Sequence, residues 1–230
     1  MKLALDTTLS SGSIALATAE RVIYSTFFDI KITHSETLMP AIDHALKFCG
    51  AQKSDLSAIY ACQGPGSFTG LRIGIATAKG IAFGLNIPLF TYSSLELAAL
   101  AASGLGKNIL AAIDAKMKEL YLAYFDSNLG EIIAPQVIKP EEVCRLPLQD
   151  FILCGTGADL LTPLLKASGH EFYNLNSTLH FPNAAGLFAL PILLPGKHHP
   201  QNLVDLEPMY LRDSSAQVKR SESFAVRALQ

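Results

Sequence analysis

Leu3-Ala4-Leu5-Asp6 opens the chain as a short apolar run closed by an acid, and Ile109-Leu110-Ala111-Ala112-Ile113-Asp114 repeats this pattern in the second half. Each run has the composition of a buried strand that ends at a polar turn. Two more segments with strand character follow each run, at residues 13–17 and 21–28 and again at residues 120–125 and 132–138. The sequence therefore predicts that the chain starts its fold twice, each time with a three-stranded meander.

The repeated pattern continues beyond the two meanders. In both halves a further apolar run leads into a glycine-rich turn and a helix: residues 58–62 precede Gly64-Pro65-Gly66, and residues 151–154 precede Gly155-Thr156-Gly157. Strands that alternate with helices favour an α/β fold made of two duplicated lobes, each with a mixed sheet flanked by helices.

The segment Ser103-Gly104-Leu105-Gly106 marks the boundary between the lobes. We expect one lobe over residues 1–104 and the other over residues 105–230, with a C-terminal tail that is free to pack back on the first lobe. Two capping-box signatures, Thr33-His34-Ser35-Glu36 and Ser93-Ser94-Leu95-Glu96, predict where two helices of the first lobe begin.

Composition and charge restrict the classes of partner. Of the 230 residues, 50% are hydrophobic and 17% are charged, and the formal net charge is −2. Proteins that hold nucleic acid alone usually carry a basic surface, so independent RNA binding is disfavoured. We interpret the late basic residues Arg212, Lys219, Arg220 and Arg227 as a solvated face. The high apolar content instead favours a protein whose surface is partly covered by a partner.

Cysteine spacing and the first residues bear on the compartment. The four cysteines, Cys49, Cys62, Cys144 and Cys154, form no C-x-x-C pair and are expected to be reduced. Met1-Lys2 leads directly into a strand, without the charged and then apolar regions of a signal peptide. The alanine- and leucine-rich residues 95–113 are interrupted by glycine and charge, which disfavours a membrane span. The sequence predicts a cytoplasmic protein.

The segment Gln63-Gly64-Pro65-Gly66-Ser67-Phe68-Thr69-Gly70-Leu71-Arg72-Ile73-Gly74 joins a predicted strand to a predicted helix. It lacks the G-K-[ST] of a P-loop, the G-x-G-x-x-G of a dinucleotide site and the G-x-S-x-G of a nucleophile elbow. We therefore interpret it as a tight turn that leads into a closely packed helix.

Small residues recur along that helix in two registers. Gly70, Gly74 and Ala78 are four residues apart, and Gly80 and Gly84 repeat the interval on another face. Glycine inside a helix costs roughly 0.5 to 1 kcal/mol relative to alanine, so its presence needs a compensating gain. Close approach of another backbone is the physical candidate, and the sequence leaves open whether the chain's own sheet or another subunit supplies it.

Acids and histidines offer few candidates for catalysis. Asp6 and Asp114 lie where predicted strands end, a position that suits either a metal–nucleotide complex or a polar turn, and we favour the turn. His34 and His44 are not spaced as an H-x-x-x-H pair, and His198-His199 has no acid or cysteine at ligand spacing. We predict no metal site and no catalytic residue.

Five segments spread along the chain carry a family resemblance. They are LALDTT at residues 3–8, HSETLMPAI at 34–42, GPGSFTGLRIGIATAKGIAFG at 64–84, AIDAKM at 112–117 and PMYLR at 208–212. Together they resemble the TsaB family, also called YeaZ. The resemblance implies the actin-like ATPase fold (ASKHA, ribonuclease H-like), in agreement with the duplicated pattern. It also implies a non-catalytic role in making threonylcarbamoyladenosine, at the adenosine after the anticodon of tRNAs that read codons beginning with A.

The resemblance further implies partners. The catalytic subunit TsaD is expected to pair with the chain, a second TsaB can take its place, the ATPase TsaE joins them, and tRNA is reached only through the complex. In the family, the helices after His34 and after Gly66 form the pairing bundle. This assigns the interface to His34, Glu36, Leu38, Ile42, Ser67, Phe68, Gly70, Leu71, Gly74 and Ala78.

A nucleotide site is the second implication of the fold. The actin-like resemblance assigns a vestigial or shared site to Asp6, Thr7, Thr8 and Asp114. No cofactor is expected to bind strongly to this chain alone, and ATP or ADP would lie at the interface of the complex.

One departure bears on catalysis. TsaD-like enzymes hold a metal with an H-x-x-x-H pair on the helix after the strand that follows the glycine block, and this chain has Ser94 and Ala98 there. The resemblance thus implies a fold without its metal ligands. Two alternatives stay open: an independent actin-fold ATPase or sugar-kinase-like enzyme that uses Asp6 and Asp114, and a glycoprotease-like peptidase.

Overall fold

The computed structural model describes residues 1–29, 33–175 and 179–212, and within them ten strands form two five-stranded sheets. The first sheet contains β1 (Lys2–Asp6), β2 (Gly12–Ala17), β3 (Val22–Phe28), β4 (Ala58–Gly64) and β5 (Leu89–Ser93), in the order β3-β2-β1-β4-β5. The second contains β6 (Asn108–Lys116), β7 (Glu119–Phe125), β8 (Glu131–Ile138), β9 (Phe151–Cys154) and β10 (Phe172–Asn174), in the order β10-β9-β6-β7-β8.

The two sheets share one topology. In the first, β1, β2 and β3 pair antiparallel, whereas β4 pairs parallel with β1 and β5 parallel with β4. In the second, β6, β7 and β8 form the antiparallel meander, and β9 and β10 continue it as parallel strands. The predicted α/β fold, two duplicated lobes each with a mixed sheet flanked by helices, is confirmed.

Six α-helices flank the sheets in the described residues. They are α1 (His34–Phe48), α2 (Phe68–Leu85), α3 (Ser94–Ala99), α4 (Pro140–Val143), α5 (Ala158–Ala167) and α6 (Leu190–Leu193). The side chain of Ser67 accepts a hydrogen bond from the Gly70 amide and caps α2, which therefore begins at Phe68. At its other end α2 is closed by Asn86, whose φ of 52° is left-handed.

Only one of the two predicted capping boxes forms. At the start of α3, the Ser93 amide donates to Glu96 Oε2 at 2.9 Å, and the Ser93 hydroxyl accepts from the Leu95 amide. At the start of α1, the Thr33 hydroxyl makes no capping bond and lies 2.9 Å from the Ser35 hydroxyl. The competing side chain explains why this prediction was wrong in detail although the helix begins where expected.

One hydrophobic core is shared by the two lobes. Buried side chains from the first sheet, such as Ala4 and Tyr60, belong to the same cluster as Ile109 and Ile152 of the second sheet. α3 packs against β4 on one side and against β6 and β7 on the other. The predicted boundary between residues 104 and 105 separates the two sheets in sequence, but the buried cluster contains residues from both sides of it. The division into two domains stays a prediction.

Three expectations about the chain as a whole can be compared with the structure. No helix among the described residues is long and apolar enough to cross a membrane. All four cysteines are free, and burial raises the pKa of the Cys154 thiol to about 12, which makes it unreactive. The basic residues Lys219, Arg220 and Arg227 lie outside the described residues.

Candidate functional site

A cleft of about 700 Å³ separates the turn after β1 from the turn after β6. Its lining includes Thr8, Ser67, Asp114, Thr156, Tyr210 and Arg212. The walls come from both lobes, because the duplicated fold places the carboxyl ends of β1 and β6 on the two sides of the cleft. This is the place where the actin-like resemblance predicts a nucleotide.

The two acids that were candidates for this site have different surroundings. Asp6 is only 3% exposed, does not line the cleft, and accepts a hydrogen bond from the Thr8 amide at 2.9 Å. Burial raises the pKa of its carboxyl group, and the bond from the Thr8 amide opposes that shift. Asp114 lines the cleft, but its carboxylate is bound by the amide and the ammonium group of Lys116, each at 2.8 Å. Asp6 thus serves the polar turn after β1, whereas Asp114 lies within β6, which continues past the predicted end to Lys116.

The two threonines between them are also held by the chain itself. The Thr7 hydroxyl donates to the Gly70 carbonyl in α2 at 2.7 Å, which directs it under the turn and away from the cleft. Thr8 is fully buried and contributes to the lining. Of the four predicted nucleotide-site residues, the structure therefore places Thr8 and Asp114 in the cleft and leaves Asp6 and Thr7 outside it.

The glycine-rich turns press against the chain's own backbone. A Cβ atom at Gly66 would overlap the Thr8 carbonyl oxygen, and the next amide, that of Ser67, donates to the same oxygen at 2.6 Å. In the second lobe, a Cβ atom at Gly155 would overlap the Ala112 carbonyl oxygen, to which the Gly157 amide donates at 2.9 Å. Close packing within each lobe, rather than phosphate binding, accounts for these glycines.

These contacts test whether the residues present fit a metal-bound nucleotide. Such a complex needs accessible carboxylates and free backbone amides. Here Asp6 is covered, Asp114 is neutralised by Lys116, and the turn amides of Ser67 and Gly157 are used by protein carbonyls. Within the described residues, no three His, Cys, Asp or Glu side chains gather as a metal site. The four residues that the resemblance assigns to the nucleotide therefore do not fit the group, although Asp29, which also lines the cleft, is exposed.

The positions aligned with the H-x-x-x-H pair are part of the core. Ser94 is fully buried and its hydroxyl donates to the Pro65 carbonyl, while Ala98 is 3% exposed. Between them, Glu96 caps α3 and forms an ion pair with Lys197. This helix holds the Gly64-Pro65 turn in place and offers no open ligand position.

The residues of the predicted pairing surface on α1 and α2 differ in how far they are buried. Six of its ten residues are buried within the chain, although one of them, Ile42, also lines the groove between α1 and α2: Leu38, Ile42, Gly70, Leu71, Gly74 and Ala78. A Cβ atom at Gly70 would overlap the Thr7 carbonyl oxygen, and one at Gly74 would overlap the Thr7 hydroxyl. Gly70 and Gly74 therefore pack against Thr7, directly after β1 of the same chain. Of the two alternatives that the sequence left open, contact with the chain's own sheet applies to this register.

The other four predicted residues differ in accessibility. Glu36 and Ser67 are exposed, and Phe68 is half-buried. His34 is half-buried and donates from Nε2 to the Leu9 carbonyl at 2.8 Å, which ties the start of α1 to the turn after β1. Whether any of them contacts a partner stays a prediction.

The second register of small residues points outward. Gly80 and Gly84 are exposed, and a Cβ atom at either would meet no neighbouring atom within 4 Å. Ala76 is exposed on the same face, and the Phe83 side chain there is 81% exposed. We call Ala76, Gly80, Phe83 and Gly84 the outer face of α2. The sequence contained the signal for it, the four-residue glycine spacing, but not its orientation.

A groove of about 430 Å³ runs beside the outer face. It lies between α1 and α2, and Met39, Ile81 and Leu85 are among the apolar side chains that line it. Met39 is 44% exposed. The outer face and the groove together form a continuous apolar surface that nothing in the described chain covers.

The segment 206–212, which we call the C-terminal strap, runs along the opposite flank of α2. The Lys79 ammonium group donates to the Leu206 carbonyl at 3.0 Å, and the Met209 amide donates to the Gln63 carbonyl at 2.7 Å. Arg212 then reaches the second lobe, where its guanidinium binds the Glu119 carboxylate at 2.8 Å. The strap therefore bridges the two sides of the cleft.

With this geometry established, similarity to known proteins identifies the family. A family model described as TsaD, tRNA N6-adenosine threonylcarbamoyltransferase, matches residues 29–219. A Haemophilus influenzae protein named tRNA threonylcarbamoyladenosine biosynthesis protein TsaB is 32% identical over 92% of this chain and 93% of its own length. This chain belongs to the TsaB family. The Escherichia coli TsaB is 30% identical over 93% of this chain and 95% of its own length.

The fold of this TsaB-family chain also matches a solved structure. YeaZ from Pseudomonas aeruginosa superposes with a TM-score of 0.78 at 30% identity, covering 91% of this chain and 99% of that one. The similarity runs almost end to end, so both lobes belong to the shared architecture. The family assignment made from the five sequence segments is confirmed.

Proposed function

We propose that this TsaB-family chain is a non-catalytic subunit in the synthesis of threonylcarbamoyladenosine in tRNA, and that it works by pairing with a TsaD-type catalytic subunit. The exposed apolar surface on α1 and α2 is the observation that carries the proposal. In this proposal TsaE joins the pair in the cytoplasm, and tRNA meets the chain only within the complex. The modified base is the adenosine after the anticodon of tRNAs that read codons beginning with A.

Energetics support pairing through the outer face of α2. Each helical glycine costs roughly 0.5 to 1 kcal/mol relative to alanine, and at Gly80 and Gly84 no contact within the described chain offsets this cost. Exposed phenylalanine beside an apolar groove is likewise unfavourable in water, and such patches mark interaction surfaces. A helix from a partner that lies close against these glycines would compensate for both.

Several features of the cleft support a non-catalytic role. Asp6 and Asp114 are engaged by Thr8 and Lys116, and Ser94 is committed to the Pro65 carbonyl. The two acids that the resemblance assigns to the site are thus engaged within the chain, and among the described residues no metal-ligand set gathers there. Catalysis then falls to the partner, and this chain supplies the surface that supports it.

The pairing surface is tested by placing a leucine on the outer face of α2. We expect Gly80→Leu and Gly84→Leu to lower the affinity for a TsaD-type subunit at least about tenfold in titration calorimetry, because the side chain separates helices that must lie close. Neither variant should lower the thermal unfolding midpoint. Gly196→Leu is the matched control, since a Cβ atom at Gly196 also meets nothing within 4 Å, and its neighbour Lys197 pairs with Glu96 of α3 rather than with α2.

Reconstituted tRNA modification gives the second readout. Modification by TsaD and TsaE should depend on this chain and should fall with Gly80→Leu but not with Gly196→Leu. Full modification in its absence would contradict the proposal. Hydrolysis of Mg-ATP, or peptide cleavage, by the purified chain alone would favour instead the independent ATPase or the glycoprotease-like peptidase.

A further inference from the structure

Arg72, on the flank of α2 next to the C-terminal strap, has an unusually fixed side chain for an exposed arginine. Its guanidinium carbon lies 3.9 Å from the centroid of the Phe68 ring, and its Nε donates to the Tyr210 hydroxyl at 3.0 Å. The Phe68 and Tyr210 rings also contact each other, with centroids 5.1 Å apart. An aromatic ring below and a hydroxyl acceptor at Nε therefore determine the plane of the guanidinium.

These contacts leave the outer edge of the guanidinium available. Arg72 is exposed, and among the described residues neither of its terminal amino groups has a hydrogen-bond partner. Two parallel N–H donors in one plane match the two oxygens of a carboxylate, which is the geometry of a bidentate arginine pair. Since Phe68 and Tyr210 already restrict the side chain, little further conformational entropy is lost on binding.

The position of Arg72 relates it to the outer face. Arg72, Ala76, Gly80 and Phe83 follow one another at intervals of three and four residues, so they share one side of α2. The polar group thus borders the apolar surface assigned to pairing. We infer that Arg72 binds a carboxylate of the partner subunit and is thus the polar anchor of that surface. Tyr210 of the C-terminal strap sets the orientation of its guanidinium. The inference rests on the proposed function.

A protein carboxylate fits these surroundings better than a tRNA phosphate. Neighbours of Arg72 on the outer face are alanine, glycine and phenylalanine, and Lys79 beyond it is committed to the Leu206 carbonyl. Phosphate backbones are bound by several cations together, and the chain as a whole has a net charge of −2. One fixed arginine at the edge of an apolar surface is the arrangement of a protein interface.

Conservative substitutions test the anchor. Arg72→Lys keeps the charge but loses the planar fork, and Tyr210→Phe keeps the ring but removes the hydroxyl that orients Nε. We expect Arg72→Lys to weaken binding of the TsaD-type subunit about tenfold and to leave the salt dependence of the affinity nearly unchanged, because the charge is kept, with the unfolding midpoint unchanged. Tyr210→Phe should have a smaller effect, and the two changes together should be less than additive. Arg21→Lys, at an exposed arginine on the turn between β2 and β3, is the matched control.

The outcomes separate this inference from the proposed function. If Gly80→Leu disrupts pairing while Arg72→Lys binds the partner as tightly as the unmodified chain, the anchor is refuted and the pairing surface stands. If Gly80→Leu also leaves pairing intact, the proposed function fails and the anchor with it. If Arg72→Lys weakens binding of tRNA to the assembled complex but not pairing of the subunits, a phosphate replaces the carboxylate and the inference is wrong.

Discussion

Asp6 illustrates how a residue with a catalytic appearance can have a structural role. Its carboxylate is buried, which raises its pKa, and it accepts a hydrogen bond from the Thr8 amide, which opposes that shift. Because the pKa is raised in the folded chain, the folded state binds more protons than the unfolded state between the ordinary value of 3.8 and the raised value. Stability therefore falls as the pH rises through that interval.

Asp6→Asn should be at least as stable as the unmodified chain at pH 7, because an amide oxygen still accepts the Thr8 amide and the buried charge is gone. Its advantage in thermal midpoint should shrink as the pH is lowered towards 3.8, where the aspartic acid also becomes neutral. Asp6→Ala removes the same charge but leaves the Thr8 amide without an acceptor, so it should be about 1 to 3 kcal/mol less stable than Asp6→Asn at every pH. Equal losses for both variants would refute this account of Asp6.

The glycines of α2 show what a sequence can and cannot predict at this scale. Their four-residue spacing predicted close backbone approach, and at Gly70 that approach exists. The partner in it is Thr7, which is distant along the chain, and local spacing carries no information about distant partners. The interface was therefore assigned to the inward register, whereas the outward register at Gly80 and Gly84 remains available.

At the scale of elements, most of the fold could be predicted from local patterns. Apolar runs closed by acids, glycine turns and helical periodicity are set by neighbouring residues, so β1, β6 and α2 lie where the sequence placed them. Side-chain competition was not predictable in the same way, since Thr33 pairs with Ser35 instead of capping α1. The sequence suggested a C-terminal tail that packs back on the first lobe, but not the positions of residues 206–212, which depend on contacts with α2 and β7 rather than on periodicity.

The hairpin between β6 and β7 gives a prediction at this scale. Met117 and Lys118 form its two-residue turn, and both have positive φ, 55° and 63°. Such turns favour glycine, because a Cβ atom is strained in the left-handed region. We expect Lys118→Gly to stabilise the chain by about 1 kcal/mol in chemical denaturation. Lys118→Ala removes the charge but keeps the Cβ atom, so an equal gain from alanine would show that backbone strain is not the cause.

At the scale of the whole molecule, the duplicated sequence suggested two separable lobes, yet the buried cluster passes through both. Leu97 in α3 belongs to this cluster, and α3 packs on β4 of the first sheet as well as on β6 and β7 of the second. The strap adds a second connection through Arg212 and Glu119. The duplication is visible in the sequence because the second lobe repeats the pattern of the first. Packing between the lobes depends on which faces of the two sheets meet, and the local sequence pattern does not specify that.

This shared core makes unfolding a single event for both lobes. Leu97→Ala should cost about 2 to 5 kcal/mol, because Leu97 is 4% exposed and its removal leaves a cavity between the sheets. Hydrogen exchange followed by mass spectrometry should then show equal loss of protection in β4 and in β6, since neither sheet can stay closed when the cluster opens. If the lobes were independent domains, β4 and β6 would lose protection by different amounts. Leu161→Ala provides a second test, because Leu161 belongs to a cluster confined to the second lobe. If both lobes unfold together, this variant must also lower the hydrogen-exchange protection of β4.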